Sequence, residues 1–168
     1  HNTTPVSRAI QRGYLRHISP NVNDVNAPKK LAQLGLRVET VKSNAEAEYT
    51  ELIQVRAISR TGKTRTISGT LFGPSHTPRI VEIDGHGVEV TPEGIHLVLK
   101  NDDIPGIVGF VGTTLGRDGV NIANLSLARD LGQGFAVSLY EIDSEPSAEA
   151  VKQLTEYPGI QKFRVVKL

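Results

Sequence analysis

NDDIPGIVGFVGTTLGRDGVNIANL, residues 101–125, is the stretch from which the fold can be read. Asp103 stands just before Ile104 and Pro105, the order expected of an N-cap followed by a first-turn proline with no amide hydrogen to leave unpaired. A helix over about residues 105–117 is therefore expected, its N-terminus exposed at the end of a strand. Gly106, Gly109, Gly112 and Gly116 recur at spacings of three, three and four and so share one face. Each costs about 1 kcal/mol relative to Ala in a helix interior, so close approach of a sheet or a partner backbone is expected to offset them. GxxGxxG is not the GxGxxG of a dinucleotide site, and no Gly-Lys-Ser/Thr follows, so nucleotide binding by this segment is not expected.

Outward from this stretch the alternation is that of strands. IHLVLKN (95–101) precedes it; NIANLSLAR and GFAVSLYEID follow, joined near Leu131-Gly132-Gln133-Gly134. A second helix, 147–156, carries Ala150, Val151 and Leu154 on one side, and the strand IQKFRVV closes the chain after Pro158-Gly159. The order βαββαβ is the ferredoxin-like arrangement, an antiparallel four-stranded sheet with two helices on one face. The other face is left for a partner to cover, or an edge strand for one to pair, so self-association is permitted.

TPEG, residues 91–94, is the strongest punctuation and the expected domain boundary, giving domains 1–92 and 93–168. Upstream, Val6, Ile10 and Leu15 fall at roughly helical spacing, and NAPKKLAQLG reads as a short helix closed by Gly35. LRVETVK (36–42) reads as a strand, 49–72 as a hairpin about Thr61-Gly62, and PRIVEID (78–84) and GVEV (87–90) as short strands. The fold class is α+β: a mixed α+β unit followed by a ferredoxin-like βαββαβ domain.

Composition narrows the function. The chain has 168 residues with 38% hydrophobic content, enough to bury a core, and its zero Cys excludes disulfides, thiolate metal sites and a cysteine nucleophile. Met is also absent, so the chain reads as a fragment of a larger protein. No apolar run is long enough for a membrane span or a signal peptide. The net charge of +1, with only four Tyr and four Phe, offers neither the field nor the stacking platform of a nucleic-acid binder. The charge divides as +4 in 1–92 and −3 in 93–168, an offset compatible with an anion site in the first part or with solvated faces. His1, His17, His76, His86 and His96 lack ligand spacing, and no GxSxG or other nucleophile motif is present, so neither a metal site nor a self-contained enzyme is expected.

Two candidate sites remain. Free amides at the start of the 105–117 helix can hold a small carboxylate, while Asp103, Asn101 and Asn121 can hold an ammonium group, an amino-acid site in outline. The alternative is that Asp103 is only a cap and Asn121 only a turn residue. Arg79, between apolar neighbours in PRIVEID, is the candidate for anion contact, or equally a structural salt bridge. The cluster Arg56, Arg60, Lys63 and Arg65 reads as a solvated face.

NDDIPGIVGFVGTTLGRDGVNIANLSLAR resembles an ACT domain, the small-molecule-sensing module of many amino-acid enzymes, through its D-x-P-G, helix, G-V-N-I pattern; the likeness covers about 93–168. VNDVNAP (22–28), GTLFG (69–73) and PRIVEIDG (78–85) resemble the intervening, or allosteric substrate-binding, domain that precedes ACT in long forms of D-3-phosphoglycerate dehydrogenase. The resemblance implies a cytoplasmic parent oxidoreductase that converts 3-phosphoglycerate to 3-phosphohydroxypyruvate with NAD. The catalytic and NAD-binding residues would lie outside this chain, leaving it no catalytic residue, cofactor or metal of its own. It implies L-serine as allosteric effector between ACT domains paired in a homo-oligomer, at the positions of Asn101, Asp103 and Asn121, with Asn101 standing where a larger His or Tyr is common. It also implies an anion site near the domain junction; only Arg79 matches it, Thr91 and Glu141 bringing no positive charge. The alternatives are the regulatory part of another amino-acid enzyme, such as an iron-sulfur L-serine dehydratase (GPSH, 73–76), and a purely structural oligomerisation module.

Overall fold

Two short helices open the chain in the computed structural model, which describes residues 2–43 and 48–168. α1, Thr4–Leu15, has proline in its first turn, where the missing N–H leaves nothing unpaired. α2, Ala27–Gln33, also has a proline in its first turn and is closed by Gly35, whose φ of 72° lets the Leu36 amide fold back to the Leu31 carbonyl at 3.0 Å. Leu15, Ala27 and Leu31 close a small core with Val22. VNDVNAP gains a physical reason here: Asn23 Oδ1 accepts from the Val25 and Asn26 amides, and Asn26 Oδ1 accepts from the Asn23 amide. The strand expected over 36–42 does not form. Leu36, Val38 and Val41 are exposed, and among the described residues of the compact unit His1–Glu46 there is no strand to pair with them.

The second compact unit, Ala47–Leu168, holds two four-stranded antiparallel sheets. β1 (Leu52–Ile58), β2 (Thr64–Phe72), β3 (Thr77–Ile83) and β4 (His86–Val90) form a meander in chain order. Asp84 and Gly85, with φ of 51° and 82°, make the tight turn between β3 and β4 that the right-handed twist of the strands favours. Gly69 sits at a register shift between β2 and β3, where an added Cβ would lie 3.1 Å from the Arg79 carbonyl oxygen. GTLFG and PRIVEIDG are thus motifs of close strand approach and of a two-residue turn.

TPEG then links β4 to β5 (Ile95–Asp102). α3 (Ile107–Arg117), β6 (Ile122–Asp130), β7 (Phe135–Ile142), α4 (Ala148–Glu156) and β8 (Ile160–Lys167) complete the expected βαββαβ order, with strands arranged β6-β7-β5-β8. Alternation along β5 and β7 sends Leu97, Leu99, Tyr140 and Ile142 toward the helices, where they meet Ile107, Val111, Leu115 and Leu154. The opposite face is not left to a partner. Phe135, Val137 and Leu139 are covered by Val88 and Val90 of β4, with Ile80 and Ile83 of β3 alongside. Sheet packs on sheet within one chain.

The helix differs from expectation at its start. Asp103 is not the N-cap; that position belongs to Gly106, at a φ of 96°, and the helix begins two residues later than the proline pattern suggested. Nothing within 4 Å would meet a Cβ at Gly109, Gly112 or Gly116, so the glycine face of α3 packs against no sheet among the described residues.

Candidate functional site

The end of β5, the start of α3 and the end of β6 meet at one corner of the ferredoxin-like sheet. β5 and β6 run parallel on either side of β7, so Asn101 and Arg129 both face Ala136 across it. Asn101 is buried and committed: its Oδ1 accepts from the Ser138 hydroxyl at 3.0 Å and its Nδ2 donates to the Asp102 carbonyl at 2.8 Å. Asp102 accepts from the Gln161 side chain, so its carboxylate is directed away to β8. Asp103 is fixed by its amide, which donates to the Gly134 carbonyl at 3.0 Å.

Both Asp103 carboxylate oxygens meet Arg129. Nε donates at 3.0 and 2.9 Å, and Nη2 lies 2.8 Å from Oδ2. The carboxylate raises the guanidinium pKa above its ordinary value, through the hydrogen bonds first and the opposite charge second. Three residues on, α3 has no side-chain cap, so its first-turn amides stay available to an anion. A carboxylate, a guanidinium and an uncapped 11-residue helix start therefore share one corner. The sequence reading missed Arg129. The signal lay in the βαββαβ order itself, which brings the last residues of the second strand level with those of the first, across the third.

Asn121 is elsewhere. It precedes Ile122, which shares the Ile142 level with Ile95, so it stands at the opposite end of the sheet from Asn101, some seven residues or about 23 Å of strand away. Its amide donates to Asp143 Oδ1 at 3.1 Å and its carbonyl accepts from the Asp143 amide. Its side chain is exposed. One chain brings Asn101 and Asp103 together and leaves Asn121 apart.

Arg79 is tied locally, donating to the Pro78 carbonyl at 2.9 Å with Nε 4.0 Å from Glu89. Thr91 and Glu141 bond to each other, the Glu141 carboxylate accepting from both the amide and the hydroxyl of Thr91. A cavity of about 650 Å³ lies beside β3 and β4, with Glu48, Glu82 and Glu89 in its wall together with Ser68 and Ser126. Among the described residues no basic side chain lines it, which suits no anion. Among the described residues no group of His, Asp and Glu could hold a metal ion, and no helix is long and apolar enough to cross a membrane.

The family described as the D-3-phosphoglycerate dehydrogenase intervening domain matches residues 1–84, half of the chain. The chain belongs to that family. Beyond the matched half, similarity continues. The D-3-phosphoglycerate dehydrogenase of Archaeoglobus fulgidus is 32% identical over 170 residues, covering 99% of this chain and 32% of that protein. The enzyme of the same name from Mycobacterium tuberculosis is 32% identical over 151 residues, 90% of this chain and 29% of its own length. That of Bacillus subtilis is 29% identical over 167 residues, 99% of this chain and 31% of its own. The chain spans about a third of the length of the curated relatives it matches. Within the intervening-domain match lie VNDVNAP and GTLFG and all but the last residue of PRIVEIDG, the strings whose turns and caps are described above. The corner built by Asn101, Asp103 and Arg129 lies outside the match.

Proposed function

We propose that this chain is the regulatory portion of an NAD-dependent D-3-phosphoglycerate dehydrogenase, with an intervening domain at 1–92 and an ACT domain at 93–168, and that L-serine is its effector. In this reading the parent is a cytoplasmic enzyme of serine synthesis that oxidises 3-phosphoglycerate. Its catalytic and NAD-binding residues lie elsewhere in the parent, and this chain contributes sensing and assembly. The family membership and the names of the relatives support the parent activity.

The observation that carries the effector reading is the separation of Asn121 from Asn101 and Asp103 along the sheet. β6 is an edge strand, and it leaves Leu125 and Leu127 exposed, as α3 does Val108. Two copies pairing their β6 edges antiparallel bring the start of one strand to the end of the other. Asn121 of a second copy then reaches the Asp103 corner, and the site is complete only between chains. The ligand's carboxylate meets the first-turn amides of α3 and its ammonium meets Asp103 and the asparagine. A ligand that needs both copies favours the paired form and shifts how the subunits are arranged, as any allosteric account requires.

Titration of L-serine against thermal unfolding tests this. A ligand at 100 times its Kd stabilises by about 2.7 kcal/mol, a measurable rise in Tm. The expected result is a rise for wild type and none for Asn121→Ala; no response of wild type at millimolar serine contradicts the effector role.

A second reading, a purely structural oligomerisation module, is favoured by the Asp103–Arg129 pair, which satisfies the carboxylate without any ligand. Sedimentation with and without serine separates the two, since a scaffold associates regardless of ligand.

A further inference from the structure

We propose that Arg129 is a recognition residue of the effector corner, its guanidinium holding Asp103 in the unliganded protein and passing to the carboxylate of an α-amino acid whose ammonium takes its place on Asp103. The inference rests on the amino-acid reading above and adds to it one residue and one charge rule.

The geometry is that of a site closed on itself. Both oxygens of Asp103 are engaged, and the paired fork of Nε and Nη2 is the arrangement with which arginine receives a ligand carboxylate. The two partners differ in exposure. The Asp103 side chain is 19% exposed and its backbone is tied to Gly134, whereas Arg129 is 58% exposed on an edge strand. The carboxylate is the fixed half and the guanidinium the half a solute can reach.

Charge balance then selects the ligand. A simple anion that takes Arg129 strands the mostly buried Asp103 without a counter-charge, and a simple cation that takes Asp103 leaves the guanidinium unpaired. A zwitterion replaces both halves at once: its ammonium donates to Asp103, its carboxylate accepts from Arg129, and no charge is left over. The corner therefore discriminates for an intact α-amino acid against compounds carrying only one of its two charges. Lysine at 129 would keep the charge but lose the fork.

Calorimetric titration of the 168-residue chain with L-serine, ethanolamine and glycolate tests this in wild type, Arg129→Gln and Arg129→Lys. Wild type is expected to bind serine and to bind neither single-charge analogue at tenfold higher concentration, a gap of about 1.4 kcal/mol or more. Arg129→Gln is expected to weaken serine binding by about tenfold or more and to erase the preference for serine over ethanolamine, with Arg129→Lys between; Arg129→Lys keeps a positive charge opposite Asp103, so its unliganded Tm stays near wild type and it serves as the folding control. If Arg129→Gln binds serine as tightly as wild type, or keeps its preference over ethanolamine, the role of Arg129 is overturned and the effector reading stands. If wild type binds glycolate as well as serine, the charge rule is overturned. If wild type binds no serine, the effector reading fails and this inference fails with it.

Discussion

The Glu141 carboxylate on β7 accepts hydrogen bonds from both the backbone amide and the hydroxyl of Thr91, the first residue after β4. A side chain of the ferredoxin-like sheet thereby fixes the direction in which the chain leaves the meander sheet. Glu141→Ala leaves the part-buried Thr91 amide without its acceptor, a loss of about 1–3 kcal/mol. Urea unfolding should show a lower midpoint with an unchanged slope; an unmoved midpoint would mean the contact contributes nothing.

Ser138 and Asn101 form a buried polar pair on the helix side of the same sheet, at 3.0 Å. Asn101→Leu strands the Ser138 hydroxyl and should cost about 1–3 kcal/mol, whereas Asn101→Leu with Ser138→Ala should recover part of that, since an apolar pair leaves nothing unsatisfied. A double-mutant cycle by denaturant unfolding reads the coupling directly. Strict additivity would show that the two side chains act independently.

Tyr140 is fully buried against the helices and its hydroxyl has no hydrogen-bond partner among the described residues. Burial pushes its pKa up to about 12, so the unfolded chain releases this proton first, near pH 10, and stability falls as pH rises between the two values. The full loss is on the order of 2 kcal/mol. Tyr140→Phe should be neutral or stabilising at pH 7 and should flatten that alkaline limb. A Phe variant with the same alkaline slope as wild type would assign the slope to other groups.

Asp118, at the end of α3, accepts from the hydroxyl and the amide of Ser147, the N-cap of α4. These bonds hold its pKa below the ordinary carboxylate value, so the stability it contributes is present above the unfolded pKa, near 4, and is lost as pH falls through the lower folded one. Asp118→Asn should make acid unfolding less steep in that window. Ser147→Ala should remove the cap to Ala150 as well, at a cost of about 1 kcal/mol at neutral pH.

Much of the fold was legible because periodicity and turn chemistry agreed. The βαββαβ order, the Thr61-Gly62 hairpin and the helix closed by Gly35 all form where local pattern and packing want the same thing. LRVETVK failed because strand propensity alone does not make a strand, and among the described residues of its unit no strand lies beside it. The Asp103 cap failed because the left-handed Gly106 starts the helix later and frees the carboxylate for Arg129. That pair joins residues 26 positions apart, and no local pattern carries such a contact. The covered sheet face was illegible for the same reason: Val88 and Val90 show an alternating strand, not which surface they will meet.

In the proposed function an amino-acid site is shared between two copies, with Asp103 from one and Asn121 from the other. Asp103→Ala and Asn121→Ala chains, purified separately and then mixed under exchange conditions, test it through calorimetric counting of L-serine sites. Each variant alone should bind no serine. An equal mixture makes half of its dimers hybrids, each with one intact and one doubly altered site, so about a quarter of the wild-type capacity should return. A mixture that stays as inactive as its components, or an Asn121→Ala chain that binds serine unaided, would contradict a site built across the two chains.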